Sequence, residues 1–382
     1  MQQSRLSNLG TYGHWAASLI GDDIPSYAFR HPRWTTVEQW REVARLRFLE
    51  RIAGPDLGAV PVVNVDDCGE ADGLVYEVLS WQLPAGPRTE AVLLKPAGSS
   101  GRLPGVVALH DHGSFKYAGW RKIAHLPGQP VEEWQRAFTR HYYGGVAWAN
   151  ELARRGFVVL APDAFLFGSR RLDPRTVPPS LRSAEFESAT DEPARREAYN
   201  VWAGSYEHVI SKALLCAGTT WPGVFVAEDR IALEVLVQRP DVDPGRIGCG
   251  GLSGGGLRTV FLSAVEPRVR CAVCAGMMFT WRDLLHTKAS NHTWMCYVPL
   301  LPRELDYPDV FALRAPLPAL SLFNSDDELF TLSEMQRAHE MLRVTYSKAG
   351  ASQRYDGHFF PGAHKFDLPM QREAFAWFER WL

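Results

Sequence analysis

Cysteine is scarce in this chain: six residues in 382, scattered through mostly apolar surroundings. They are too few and too dispersed for a disulfide frame, so reduced thiols in a cytoplasmic protein are expected. Net charge is nearly absent as well. The 41 Lys and Arg against 43 Asp and Glu leave −2, with no electrostatic footprint for nucleic acid or an anionic membrane surface. No apolar run is long enough to span a bilayer, and Met1 to Gly10 contain none that would serve as a signal peptide. Internal repeats are missing. Metal-ligand groupings are poor: His110-Asp111-His112 sets two histidines two positions apart, but no Cys or Glu cluster completes a site, so neither a metal nor another cofactor is expected. Cys271 and Cys274 form a C-x-x-C inside the apolar stretch 270–275, where strand alternation points them to opposite faces as buried thiols. What is present is 46% hydrophobic and 22% charged residues, enough for one large core with appendages.

Glycine, by contrast, is concentrated. Residues 247–256 read Ile-Gly-Cys-Gly-Gly-Leu-Ser-Gly-Gly-Gly, a G-x-S-x-G pattern centred on Ser253. A serine hydroxyl needs geometry and a base before it attacks anything. A sharp strand-to-helix turn lifts Oγ clear of a sheet and leaves no room for side chains two positions either side. The flanks fit such a turn: a helical stretch at 229–237, a short apolar strand before the serine, and apolar residues at helical spacing over 257–265. The amide of Gly254 would then open a helix and point where an oxyanion forms.

A nucleophile needs a base, and the base needs an orienter. Pro318 to Phe323 reads as a buried strand with a polar turn at its end containing Asp326 and Asp327, either of which can supply the acid. Arg354 to Phe360 reads as a last strand, and the loop Pro361-Gly362-Ala363-His364-Lys365-Phe366 offers His364 among small residues. His358, inside the strand, reads as an ordinary core or surface histidine. The order serine, acid, histidine follows.

These segments, with Leu109-His110-Asp111-His112-Gly113, resemble the α/β-hydrolase superfamily, in its dienelactone-hydrolase and acetyl-xylan-esterase-like branch, over roughly residues 75 to 382. The resemblance implies a doubly wound, mostly parallel eight-stranded sheet with helices on both faces. It implies Ser253, Asp327 and His364 as catalytic residues, Asp327 because the family's aspartate precedes one residue and then an apolar pair. It also implies the backbone amides of His112 and Gly254 as the oxyanion hole, with His110 and Asp111 bracing the loop, although Asp111 stands where the family more usually has glycine.

Around that body, residues 1–74 read as a helical N-terminal extension, with an amphipathic helix over 37–50 capped by Thr35 or Thr36. Strands are expected at 75–83, 89–94, 104–109 and 157–163, and a helix at 146–155. Asp163 reads as a brace, and residues 167–170 resemble the family's structural turn. Two stretches interrupt the strand–helix rhythm and read as cap insertions, at about 170–222 and 278–310. Aromatic residues of the second, Trp281 and Trp294 among them, are candidates for substrate binding. The expected function is a serine esterase acting on a small-molecule ester, deacetylating a small or sugar ester, whose only further partner would be another copy of itself in a homo-oligomer. A prolyl-oligopeptidase-like peptidase, a lactone hydrolase, an acyltransferase and a catalytically silent binding protein are the alternatives.

Overall fold

The computed structural model describes residues 7–382. Its centre is a single sheet of nine strands: β1 (Val63–Ala71), β2 (Leu74–Trp81), β3 (Thr89–Pro96), β4 (Leu103–Ala108), β5 (Val158–Pro162), β6 (Val242–Leu252), β7 (Val269–Ala275), β8 (Ala319–Asn324) and β9 (Tyr355–Phe360). Their spatial order is β1-β2-β3-β5-β4-β6-β7-β8-β9. β1 to β3 form an antiparallel meander that meets β5 antiparallel, and from β5 through β4 to β9 every pairing is parallel. The expected eight strands become nine because β1 lies in the stretch read as a helical extension. Its residues are mostly exposed, so the alternation of a half-buried strand is weak there. The turn Asp72-Gly73, with both residues at positive φ, closes the β1–β2 hairpin, and it is the one local signal that marks the strand.

The parallel strands are apolar on both sides because helices cover both faces. On β4, Val107 joins one core cluster and Val106 and Ala108 the other; on β5, Val158 and Leu160 oppose Val159 and Ala161. The principal helices are α1 (Gly13–Ile20), α2 (Val37–Ile52), α3 (Glu133–Tyr142), α4 (Trp148–Arg154), α5 (Glu192–Cys216), α6 (Trp221–Val237), α7 (Gly254–Val265), α8 (Leu332–Lys348) and α9 (Leu368–Trp381). Residues of α2, α6, α7 and α8 fill one cluster, and those of α3, α4 and α9 the other.

Thr36 caps α2 by accepting from the Gln39 amide at 3.5 Å. The buried face of α2 carries Trp40, Ala44, Phe48 and Ile52, and Phe48 meets Phe261 of α7 edge-on with ring centroids 5.1 Å apart. Arg45 Nε also donates to the Ala264 carbonyl at 2.8 Å. Cys271 and Cys274 divide as strand geometry requires, one into each cluster, and both thiols are pushed up by burial. All six cysteines are free. Among the described residues no single helix is long and apolar enough to cross a membrane.

Candidate active site

β6 delivers Ser253 at its carboxyl end, and α7 starts at the next residue. Ser253 holds φ 56° and ψ −118°, a conformation an L-residue adopts only under constraint. The constraint comes from the glycines. A Cβ on Gly255 would lie 2.0 Å from the Leu109 carbonyl oxygen, and one on Gly251 would lie 2.2 Å from the same atom. Only glycine lets the end of β4 approach the turn this closely.

That close approach creates the second half of the site. A Cβ on Gly254 would stand 2.7 Å from the His112 amide nitrogen, so the backbone at 254 and the loop after β4 are in direct contact. Gly254 is the first residue of α7, so its amide has no carbonyl within its own helix to bond. The amides of Gly254 and His112 thus adjoin at the N-terminus of a helix, where developing negative charge is favoured.

The loop bearing His112 is held from below by buried polar groups. Lys122, fully buried, donates to the carbonyl oxygens of Asp111 and, at 3.1 Å, of His112, and pairs with the Asp111 carboxylate at 3.4 Å. Tyr143 donates its hydroxyl to the other Asp111 oxygen. Burial lowers the Lys122 ammonium to about 8, against the pull of Asp111. With both carbonyls turned toward Lys122, the adjoining amides are free to face the opposite way.

The two histidines of this loop use their rings as staples. His110 Nδ1 donates to the Asp111 carbonyl at 2.9 Å, and its Nε2 accepts from the Ala164 amide at 3.2 Å. His112 Nδ1 accepts from the Ser114 amide at 3.1 Å, and its Nε2 donates to Glu207 at 2.7 Å. Every ring nitrogen of the His-x-His pair is therefore engaged within the protein, which leaves no lone pair to share on a metal. Burial holds both imidazoles below their usual range and so neutral near pH 7. Asp163 braces as expected, accepting from the Trp120 amide at 2.7 Å and the Ser169 amide at 2.6 Å.

On the other side of Ser253, His364 Nδ1 donates to Asp327 Oδ2 at 2.6 Å, and Asp327 Oδ1 accepts from the Leu329 amide at 3.0 Å. The Asp327 side chain is fully shielded from solvent. Asp326 faces elsewhere: its carboxylate accepts from the Gly362 amide at 2.7 Å, tying together the two loops rather than touching the imidazole. His364 Nε2 is buried and has no hydrogen-bond partner. Ser253, Gly254, His112 and His364 line one cavity of about 340 Å³, with Tyr142, Met277 and Leu329 among its walls. His358 lies on the surface, 3.1 Å from Asp356.

Segments 170–222 and 278–310 both reach this cavity. α5 contributes Gly204 and Glu207, and the later segment contributes the consecutive polar run Ser290-Asn291-His292-Thr293. His292 Nε2 donates to the Leu329 carbonyl at 2.9 Å, while its ring is tilted against Phe330 with centroids 4.9 Å apart. Trp281 and Trp294 do not line the Ser253 cavity. They line an adjacent apolar cleft of about 690 Å³ that shares Ser290 and His292 with it. Trp281 is buried, its indole donating to the Leu305 carbonyl at 3.0 Å, whereas Trp294 is 40% exposed. Sequence reasoning did not single out Glu207, Tyr142 or Lys122. Nothing local in α5 marks Glu207, because its partners lie 86 to 95 residues away or on other loops.

A mostly parallel sheet with an antiparallel leading edge, helices on both faces, a strained serine turn after β6 and a histidine loop after the last strand define the α/β-hydrolase fold, and this chain has it. No known protein-family profile matches the chain. A Bacillus subtilis protein provisionally named hydrolase YtaP is 24% identical over 314 residues, which is 82% of this chain and 90% of that protein. Among solved structures, a Bacteroides fragilis protein provisionally described as an acetyl xylan esterase superposes with a TM-score of 0.67 at 15% identity, covering 92% of this chain and 82% of its own. A glucuronoyl esterase from Solibacter usitatus gives 0.61 at 14% identity, with 90% and 94% covered.

Proposed function

We propose that this protein is a serine esterase that cleaves a small carboxylic ester through Ser253, His364 and Asp327. The observation that carries the reading is the hydrogen bond from His364 Nδ1 to the shielded Asp327 carboxylate, with the unpartnered Nε2 of the same ring sharing a cavity with Ser253. A carboxylate on Nδ1 fixes the tautomer that leaves Nε2 ready to accept a proton. Ser253 Oγ attacks the ester carbonyl as Nε2 takes its proton, and the amides of Gly254 and His112 receive the oxyanion. The alcohol leaves with the proton returned by His364, and water then repeats the sequence on the acyl-enzyme. Nε2 makes no hydrogen bond here, and such contacts tighten when substrate arrives.

The cavity suits a short acyl group beside a hydroxyl-bearing alcohol. At about 340 Å³ it is at the small end of ligand sites, and four consecutive polar residues, 290–293, line one wall. The named activities of the solved relatives, deacetylation of xylan and hydrolysis of glucuronoyl esters, point the same way, toward a sugar ester. The expected result is that a fluorophosphonate probe labels Ser253 and that Ser253→Ala loses about 10⁴-fold or more in p-nitrophenyl acetate hydrolysis while keeping its melting temperature. A folded Ser253→Ala variant that still turns over the ester would sink the reading.

A further inference from the structure

Glu207 is the point where three separate parts of the chain meet beside the reaction cavity. It sits on α5, inside segment 170–222, and its side chain is 6% exposed. Oε1 receives His112 Nε2 at 2.7 Å and lies 2.7 Å from Lys116 Nζ, both on the loop after β4. Oε2 receives the Thr293 hydroxyl at 2.6 Å and the Trp294 amide at 3.0 Å, both in segment 278–310. Burial alone would push this carboxyl up, yet His112 and Lys116 hold it well below the usual carboxylate range. It is an anion with three hydrogen-bond donors and one ion pair, occupied without any substrate.

We propose that Glu207 is a positioning residue that sets the His112 amide as an oxyanion donor, so that the cap insertions are mechanically part of the oxyanion hole. The inference rests on the esterase reading above. The His112 ring is the link. Its Nε2–H is pinned by Glu207, and its Nδ1 in turn accepts from the Ser114 amide two residues on. Gly113 and Ser114 both hold positive φ, at 53° and 50°, and for Ser114 that is a strained conformation needing support. The imidazole is the strut between a fixed anion and the strained turn. With the strut fixed at both ends, the peptide plane carrying the His112 amide is fixed beside Gly254. Without Glu207 the ring is free to rotate, the turn can relax, and the amide moves off the oxyanion position, while Ser253, His364 and Asp327 stay where they are. Lys116, also buried, is then left with no opposite charge.

The test is Glu207→Gln, with active sites counted by fluorophosphonate burst. Gln keeps the size but has a single acceptor oxygen: turned to His112 it sets its NH2 against the Trp294 N–H, turned to Trp294 it sets its NH2 against His112 Nε2–H, and either way the charge opposite Lys116 is lost. The expected kcat per titrated site falls about 10² to 10³-fold, the range for loss of one oxyanion donor. KM for p-nitrophenyl acetate stays within about twofold, and affinity for a trifluoromethyl ketone, whose adduct carries the oxyanion, falls with kcat. Thr293→Val removes one donor from Glu207 without touching the loop, and a weaker shift in the same direction is expected from it. Wild-type kcat per site and unchanged ketone affinity in these variants would overturn the proposal. So would a raised KM at constant kcat, which would assign Glu207 to the substrate. Full activity in Ser253→Ala would overturn the esterase reading itself, whereas a dead Ser253→Ala beside a normal Glu207→Gln would overturn this inference alone.

Discussion

Two adjacent carboxylates at the end of β8 have opposite fates, and one residue of register decides them. Asp327 turns inward to His364 Nδ1 and to the Leu329 amide, while Asp326 turns outward to the Gly362 amide. The first arrangement orients an imidazole; the second closes a pair of loops. Asp327→Asn should therefore lower kcat on the order of 10⁴-fold, because an amide in that position favours the wrong tautomer of His364. Asp326→Asn replaces one hydrogen bond to a partly exposed turn and should keep activity within a few-fold, with a stability loss of about 1 kcal/mol or less. Kinetics on p-nitrophenyl acetate for both variants decides the matter, and a larger loss at Asp326 would reassign the acid. Among the histidines, residue type alone did not separate the roles. Position in the chain singles out His364 from His358, and what each ring nitrogen meets gives His110, His112 and His364 their separate roles.

At the scale of elements, the β6–α7 turn depends on the end of β4. Gly251 and Gly255, two residues either side of Ser253, are explained by one atom, the Leu109 carbonyl oxygen, which each would strike with a Cβ. Gly255→Ala must push this backbone apart, since neither partner is a flexible side chain. Overpacking typically costs about 1 to 3 kcal/mol, and a backbone clash falls at or beyond the upper end. The expected outcome is a clearly lower melting temperature together with slower fluorophosphonate labelling, because the same movement separates the amides of Gly254 and His112. A Gly255→Ala protein that melts and labels like the parent would show that the turn is not held by this contact. The β1–β2 hairpin is the converse case. A polar, exposed edge strand carries little hydrophobic signal, and only the Asp72-Gly73 turn marks it in the sequence.

At the scale of the whole molecule, the N-terminal segment is continuous with the catalytic body. Phe48 is fully buried and packs edge-on against Phe261 in α7, the helix that begins at the serine turn. Phe48→Ala should cost about 3 to 5 kcal/mol, the usual range for an emptied aromatic site. The loss should appear as a lower temperature for a single calorimetric transition. A separate early transition, with the main one unmoved, would show that the segment melts on its own. Segments 170–222 and 278–310 are likewise tied to the body through Glu207, which joins α5 to the loop after β4 and to Thr293 and Trp294.

The chain by itself carries the elements whose signals are local. The G-x-S-x-G turn, the apolar runs of the parallel strands, the histidine loop after the last strand and the opposed cysteines of β7 are legible because backbone sterics and strand periodicity act over a few residues. The family pattern pointed to Asp327, and tertiary structure supplies its contact with His364; tertiary structure alone decided that Trp281 and Trp294 serve a neighbouring cleft, that Lys122 lies under the loop after β4, and that Glu207 closes the site from a helix about 95 residues away. Those outcomes depend on one-residue register, on burial, and on partners brought together by the sheet crossovers. A buried charge is indistinguishable in sequence from a solvated one until the groups that neutralise it are in place.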